Sequence, residues 1–549
     1  MSLLFFTLWF ARTVKADLFW LYLLQLKEYR FDRLRDHLKT GKGASIVFNW
    51  LTAAKLALFI ALAAANLMLR PPRIAELLVL ALCAVYLAEV ADGLRKFKNK
   101  SLKVPKETTK AILLTTIALG SDLIVLWFLS GLPLARLAFF LLAFDLLLPL
   151  KDLMIVSLMK PLNLVLKRRL FAKAAARRAE LKDLLVIGIT GSYGKTTVKE
   201  MLAAILDTKF NVIKTKEHEN SEVTVAKIVL EQLSNKHEIF ICEMAAYREG
   251  EIKTVSDIVK PKVGVFIGAN EQHLALFGSM EKIMAGEGGG ELLESLGQGS
   301  LGIFNGNNPY SAELHKKTSI KKIICYAEYD PAHPVNHTSD LYATGVAAKT
   351  DSVSFKIHSR RNPKGQEFKL NMPGVQNVEN LLLCAALSEE LGMSLEEISR
   401  AAEKIKPMAR SMTLLHGKGG LNLIDSTYSS NPNGTRAHLE YLKLWPAAKK
   451  VVIMPCLIEL GKAAERIHRE IGELLALRAD VAIIASRDQF DAIKSGFYDK
   501  ARIAGDKKRI LFSEDTAEIM KIVKTETKSG DVVLLEGRLP ENVVKALKK

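Results

Sequence analysis

Four apolar stretches, at 44–69, 74–91, 111–131 and 132–150, constrain this chain more than any other feature. A helix needs about 20 apolar residues to cross a bilayer, and each stretch approaches that length. Lys55, Asp122, Arg136 and Asp145 interrupt them. A charge at membrane depth is expensive, so each should face a partner helix or lie near an interface. Segment 27–43 carries six Lys/Arg against three acids, 92–110 seven against two, and 151–180 eight against two. The intervening turns, RPPR at 70–73 and the one around Gly131, are short. Basic loops stay on the cytoplasmic side of an inner membrane. Two hairpins with basic loops inside fit this pattern, and they deliver the rest of the chain to the cytoplasm before residue 180. The opening run LLFFTLWFA, nine residues before Arg12, is too short to span. Residues 2–26 are therefore expected to form an interfacial or re-entrant helix. A soluble domain of buried helices is the alternative, but four runs this apolar seldom share one.

The formal net charge of +18 suits nucleic acid or an anionic membrane surface. Much of the excess flanks apolar segments, which points to the lipid bilayer and not to nucleic acid. Five cysteines, Cys83, Cys242, Cys325, Cys384 and Cys456, lie far apart with no CxxC, so neither a zinc site nor a disulfide framework is indicated.

From about residue 184 the pattern changes. Short β-type runs (LLVIGIT, IFICEM, VGVFIGAN, LGIFNGNN) alternate with helical ones, as in a mainly parallel α/β sheet. Helical stretches at 377–391 and 395–405 end near Pro407, and a second series follows: NLIDSTY, KKVVIMPC, DVAIIAS, RILFS, DVVLLEG. The expected fold is an α-helical transmembrane module over 1–180, then two α/β domains over 181–406 and 407–549, divided at KPMAR.

GITGSYGKTTVKE at 188–200 places a glycine turn between a strand and a helix. Gly191 and Gly194 permit the tight turn, and backbone N–H groups of Ser192, Tyr193 and their neighbours then face a phosphate at the helix N-terminus. Lys195 reaches the β- and γ-phosphates, and the Thr196 hydroxyl suits Mg²⁺. The common longer spacing would need glycine at 189, which is Ile189, so the loop is a shorter T-G-x-x-G-K-T-T form ending at Thr197. Such a loop needs an acidic partner for its metal, and Glu243 at the end of IFICEM is the candidate. His273, after another strand end, is on its own more often structural.

Together these pieces resemble the Mur ligase family of ATP-dependent peptide synthetases, in its D-alanyl-D-alanine-adding branch. The resemblance covers roughly 184–549, about two thirds of the chain. TGSYGKTT at 190–197 is similar to the family's phosphate loop, ICEMAAYREGEI at 241–252 to its metal-carboxylate strand, and EQHLALFGSMEKI at 271–283 to the segment whose histidine holds a second metal. MPGVQNVENLLLC from 372 resembles the family's His-Asn-x-x-Asn segment, with Gln376 in place of histidine and Asn377 and Asn380 kept. The resemblance implies that Asn380 helps hold the nucleotide, that Arg410 reaches the phosphates from the last domain, and that Asp425 of DSTYSSNP contacts the ribose. IELGKAAERIH at 458–468 is similar to the run that closes the branch's pattern.

The departures are as informative. Where the family has a carbamoylated lysine, an ungapped count arrives at Glu287, whose carboxylate is an anionic oxygen donor of similar use to Mg²⁺, while a small gap would place a glycine of AGEGGGELL there. Glu536 replaces a common lysine, and MPCLIELG replaces Gly-Asp-Met, which puts the amine substrate in question more than the ATP chemistry. A membrane module stands where the family has a domain gripping the UDP part of its acceptor. The implied activity is an ATP- and Mg²⁺-dependent ligase forming an amide on a cell-wall peptide precursor, UDP-linked or lipid-linked, through an acyl phosphate. The implied donor is D-alanyl-D-alanine or a similar amine, an amino acid or dipeptide. Lys195, His273 and Arg410 are the implied catalytic groups. Three rivals remain open here: an ATPase coupled to membrane transport, a membrane-anchored scaffold with weak or no catalysis, and another member of the family that adds glutamate to folate or amino acids to a different polymer.

Overall fold

The computed structural model describes residues 2–67, 72–217, 219–329, 339–428, 430–504 and 508–548. Part of the RPPR turn thus lies outside the described residues. The chain divides into two compact units, 1–167 and 168–549.

The first unit is all helical. Among the described residues, three helices are long and apolar enough to cross a membrane: Gly43–Leu67, Arg73–Lys98 and Thr109–Leu129. Their apolar side chains largely face outward, with Ile60, Leu77, Ile124, Trp127 and Phe128 all exposed. The fourth expected span falls within helix Leu134–Leu158, which carries Arg136, Asp145, Lys151 and Asp152 and is too charged to join that set. It is the central helix of the bundle, burying Leu137, Ala138, Leu141, Leu142 and Leu148. Its neighbours neutralise most of the interrupting charges. Lys55 lies 2.5 Å from Glu89 and 3.1 Å from Asp145, and Lys151 lies 2.6 Å from Asp122 and 2.9 Å from Asp17. Arg136 is exposed in the first turn of its helix.

Helix Ser2–Leu26 is not peripheral, as an interfacial helix would be. It packs on the helices Pro72–Lys98, Thr109–Leu129 and Leu134–Leu158. Phe5, Trp9, Leu21 and Leu24 are buried, and the Trp9 indole donates to the Leu141 carbonyl at 3.0 Å. The run before Arg12 is short, but the helix continues through its charges because Arg12 and Asp17 find partners inside the bundle.

The second unit contains two sheets. The first comprises β1 Leu185–Thr190, β2 Val212–Lys214, β3 Ile239–Glu243, β4 Val263–Phe266, β5 Leu301–Asn305, β6 Lys321–Ala327, β7 Leu341–Ala348, β8 Val353–Ser359 and β9 Gln366–Leu370. Their order is β2-β3-β1-β4-β5-β6-β7-β8-β9. Pairing is parallel through β7 and antiparallel for β7–β8 and β8–β9. β3 and β4 are buried along their whole length, as parallel strands covered on both faces must be. The second sheet comprises β10 Thr413–His416, β11 Asn422–Ser426, β12 Lys450–Met454, β13 Val481–Ile484, β14 Arg509–Phe512 and β15 Val532–Glu536. Their order is β10-β11-β15-β12-β13-β14, parallel except for β10–β11. In the first sheet the carboxyl ends of β1, β3 and β4 lie side by side, with Ile189 opposite Glu243 and Thr190 opposite Phe266. Ligands of open α/β sheets bind at such strand ends.

Candidate active site

Helix Lys195–Leu206 begins directly after the β1 turn, with Gly194 as its N-cap at φ 72°. A Cβ on Gly194 would stand 3.0 Å from the Asn380 side-chain oxygen, and one on Gly191 would stand 3.0 Å from the Gly268 carbonyl. Glycine is therefore required at both points by backbone sign and by space. The Ser192 N–H is already used by the Gly268 carbonyl, at 2.9 Å.

Around this turn the chain assembles two acid-containing clusters. In the first, Thr196 Oγ1 donates to Glu243 Oε1 at 3.1 Å, and Asn220 Nδ2 donates to the same oxygen at 3.0 Å. The ammonium of Lys199, fully buried, lies 3.0 Å from Glu243 Oε2. In the second, Lys195 Nζ donates to Glu287 Oε1 at 2.7 Å and also to the Gly191 carbonyl. Glu287 is 1% exposed, and its Oε2 is a buried oxygen with no hydrogen-bond partner. His273 Nε2 lies 4.0 Å from Glu287 Oε1, while its Nδ1 lies 2.6 Å from Glu459 Oε2. Lys195 with Glu287 and His273, and Thr196 with Glu243, thus form two neighbouring clusters at the start of one helix.

The donor set suits Mg²⁺. Each cluster offers a hard carboxylate, and the orphaned Oε2 of Glu287 is the kind of atom a cation would satisfy. Among the described residues no three His, Cys, Asp or Glu side chains converge as a full cage. Mg²⁺ typically takes only one or two carboxylates and completes its shell with phosphate oxygens and water.

Beside the loop, a cavity of about 310 Å³ is lined by Tyr193, Gly194, Thr197, Asn377, Asn380, Arg410, Tyr428 and Asn431, among others. It joins residues from both α/β domains. Asn380 Nδ2 donates to Asn377 Oδ1 at 3.3 Å. Burial pushes the Tyr193 hydroxyl well up, with Glu379 adding to the effect, so it stays a neutral partner of Asn308. Tyr428 is raised by burial too, and it is hydrogen-bonded to Thr196 of the phosphate loop. Arg410, exposed and at φ 64°, donates from Nε to Thr427 Oγ1 at 2.9 Å. Asp425 does not line the cavity. It is fully buried, accepts from Thr427 Oγ1 at 2.6 Å, and pairs with Lys548 at 2.6 Å.

Sequence reasoning missed four participants as site residues. Lys199 sits one helical turn after Lys195, which was the available signal. Asn220 and Lys548 reach partners far along the chain and left none, whereas Glu459 lies in the IELGKAAERIH run, which was the available signal for it. Glu379 is a fifth addition: it lines the cavity, and burial raises its carboxyl although Asn305 and Tyr329 donate to it at 2.8 Å each.

The loop carrying Glu459 hangs from a neutral histidine. The Leu457 N–H donates to His468 Nε2 at 2.9 Å, and burial holds this imidazole below its ordinary range. A histidine with a depressed pKa contributes stability that is present above about pH 6.5 and lost as pH falls through its folded value. His468→Gln keeps an acceptor but cannot titrate. Between pH 7.5 and 5.5 the wild-type protein should lose about 2–4 °C more in Tm than this variant, measured by thermal denaturation.

Residues 189–388 match the Mur ligase middle domain, and 411–539 match the Mur ligase, glutamate ligase domain. UDP-N-acetylmuramoyl-tripeptide–D-alanyl-D-alanine ligase of Mycobacterium leprae is 29% identical over 385 residues, covering 66% of this chain and 73% of its own. The enzyme of the same name from Synechocystis is 29% identical over 354 residues, 64% of this chain and 71% of its own. Among solved structures, MurF from Acinetobacter baumannii superposes with a TM-score of 0.60 at 24% identity, covering 69% of this chain and 80% of that one. MurF ligase from Thermotoga maritima, in complex with ADP, gives a TM-score of 0.58 at 24% identity, over 69% and 83%. At such identity these two structures speak for the fold. With both of its α/β domains matched to that family, the chain is an ATP-dependent acid–amino-acid ligase of the Mur ligase type.

Proposed function

We propose that this ligase joins a carboxylate of a cell-wall peptide precursor to the amine of D-alanyl-D-alanine or a similar donor, through an acyl phosphate, at the cytoplasmic face of a membrane. The observation that carries the reading is the convergence of Lys195, Glu287 and His273 beside the cavity that Arg410 and Tyr428 close from the other domain.

A carboxylate and an ammonium do not condense at neutral pH. Phosphorylating the carboxylate provides a leaving group, and such a transfer depends on positioning and charge neutralisation. The N-terminus of helix Lys195–Leu206 receives the phosphates, and Lys195 neutralises them. To do so its ammonium shifts from, or is shared with, Glu287. Arg410 adds positive charge from the last domain once it turns from Thr427. Thr196 with Glu243, and His273 with Glu287, would hold Mg²⁺, which when bound neutralises phosphate charge and orients the acceptor carboxylate. The amine then attacks the acyl carbon and phosphate leaves, giving an amide, ADP and phosphate. Tyr428 on Thr196 helps exclude water, which matters because acyl phosphates hydrolyse. Asn377, Asn380 and the loop residues Gly191 to Thr197 hold the nucleotide. Asp425 serves the ribose side indirectly, through Thr427.

The three long apolar helices and the basic segments around them support a multi-pass inner-membrane protein, and ligase domains in the cytoplasm require helix Leu134–Leu158, its charges paired inside the bundle, to return the chain as a fourth crossing. An acceptor presented at the membrane, as a lipid-linked precursor, fits that placement. The test incubates the purified full chain with ATP, Mg²⁺, D-alanyl-D-alanine or other amines, and lipid-linked or UDP-linked acceptors. Mass spectrometry should find an amide product with one of the acceptors. ATP hydrolysis with no amide would overturn the reading in favour of a transport ATPase, and neither activity would favour a scaffold.

A further inference from the structure

His273 and Glu459 stand 186 positions apart and in different α/β domains, yet their side chains meet at 2.6 Å. The contact is built from both sides. The Ala275 N–H donates to the Glu459 carbonyl at 2.9 Å, and Arg466 pairs with Glu271 at 2.6 Å. Asn270 Nδ2 donates to Asn433 Oδ1 at 2.9 Å. Gly461, at φ 52°, comes so near that a Cβ would be 3.1 Å from the Ala275 nitrogen. His273 and Glu459 themselves adopt left-handed backbone at φ 66° and 65°. Non-glycine residues take that conformation at a cost, and it persists where the surroundings impose it.

A carboxylate only accepts, so the imidazole hydrogen facing Glu459 lies on Nδ1. In the neutral ring Nε2 then carries the lone pair, and it is the nitrogen 4.0 Å from Glu287 Oε1. Metal-binding histidines commonly show this arrangement, one ring nitrogen donating to a carboxylate while the other ligates.

We propose that Glu459 is a positioning residue for His273. It fixes the tautomer and the ring plane that turn Nε2 toward Glu287. Because Glu459 belongs to the last domain, the His273–Glu287 pair is ready for a divalent cation only when that domain is seated. The proposal rests on reading His273 and Glu287 as cation ligands. It adds a consequence: domain closure and cation binding are one event.

The probe is Mn²⁺, followed by electron paramagnetic resonance on the full chain in lipid nanodiscs with ADP, with no turnover needed. His273→Ala should remove one class of bound Mn²⁺. Glu459→Ala should weaken that class about 10–100-fold, and Glu459→Gln, whose amide oxygen still accepts, should recover much of the loss. Arg466→Ala cuts the same seam without touching His273 and should weaken it far less. If His273→Ala changes nothing, the cation reading itself fails. If His273→Ala acts and Glu459→Ala stays within about 2-fold of wild type, the positioning role alone is overturned. Equal loss from Arg466→Ala and Glu459→Ala would also overturn it, since the seam would then act only as a docking surface.

Discussion

Lys195→Ala is expected to cut ATP-dependent ligation by about 1,000-fold or more, because the transferred phosphoryl group loses its principal protein cation. The same change leaves Glu287, 1% exposed, without the ammonium at 2.7 Å. Removing one partner of a buried pair costs on the order of 3 kcal/mol. The two effects separate in the double variant Lys195→Ala/Glu287→Gln. Its thermal stability should return most of the way to wild type, because no buried charge is left unpaired, while ligation stays absent. Membrane insertion should be intact in both. Ligation retained by Lys195→Ala would sink the mechanism. An unchanged Tm in the single variant would show that Glu287 finds another partner.

The second large effect is expected at Glu287 itself. Glu287→Gln keeps the size of the side chain, and its amide oxygen still accepts from Lys195, so folding should be less affected than in Lys195→Ala. Its amide is a poor ligand for a hard cation, and Mg²⁺-dependent turnover should fall by about 100-fold or more. A Mg²⁺ titration of the steady-state rate distinguishes weaker cation binding from a general loss of activity. Rates that match wild type at every Mg²⁺ concentration would rule out a carboxylate acting in the place of the carbamate.

How far this site could be read in advance depended on whether partners lie within one stretch. Gly191, Gly194, Lys195 and Thr196 are contiguous, and a strand–turn–helix context dictates where they point. Glu243 was legible because a strand-end acid beside such a loop has few other uses. Glu287 was reached by counting, and the structure sets it beside Lys195 and His273. Lys548 escaped, and Glu459 was read only as part of its run and not as a partner of His273, because their partners come from distant positions that only the tertiary fold brings near. For Asp425 the motif implies a ribose contact, and the structure buries its carboxylate against Lys548 and Thr427. The fold shows the same division. The fully apolar runs that became β1, β3, β4 and β5 were evident, whereas β6 to β9, with polar and apolar residues mixed and only partial burial, gave no comparable signal. Helix Ser2–Leu26 packs within the bundle and not at its periphery because Arg12 meets Glu89 and Asp17 meets Lys151 there, partners that its own stretch does not reveal.

Those inward-turned charges also bear on how the protein is made. Lys55 is balanced by Glu89 and by Asp145, which lies 90 positions further along the chain (145 − 55). At about 5–20 residues per second, the ribosome reaches Asp145 on the order of 5–20 s after Lys55. On the proposed membrane placement, helix Gly43–Leu67 alone would hold its lysine in the bilayer at a cost of about 3 kcal/mol until Glu89 and then Asp145 follow. Biogenesis should therefore favour keeping the early segments together at the insertion machinery and releasing them as a set once Asp145 arrives. Asp145→Asn would then show first as slow or failed insertion of the Gly43–Leu67 helix, before any change in catalysis by the domains that follow.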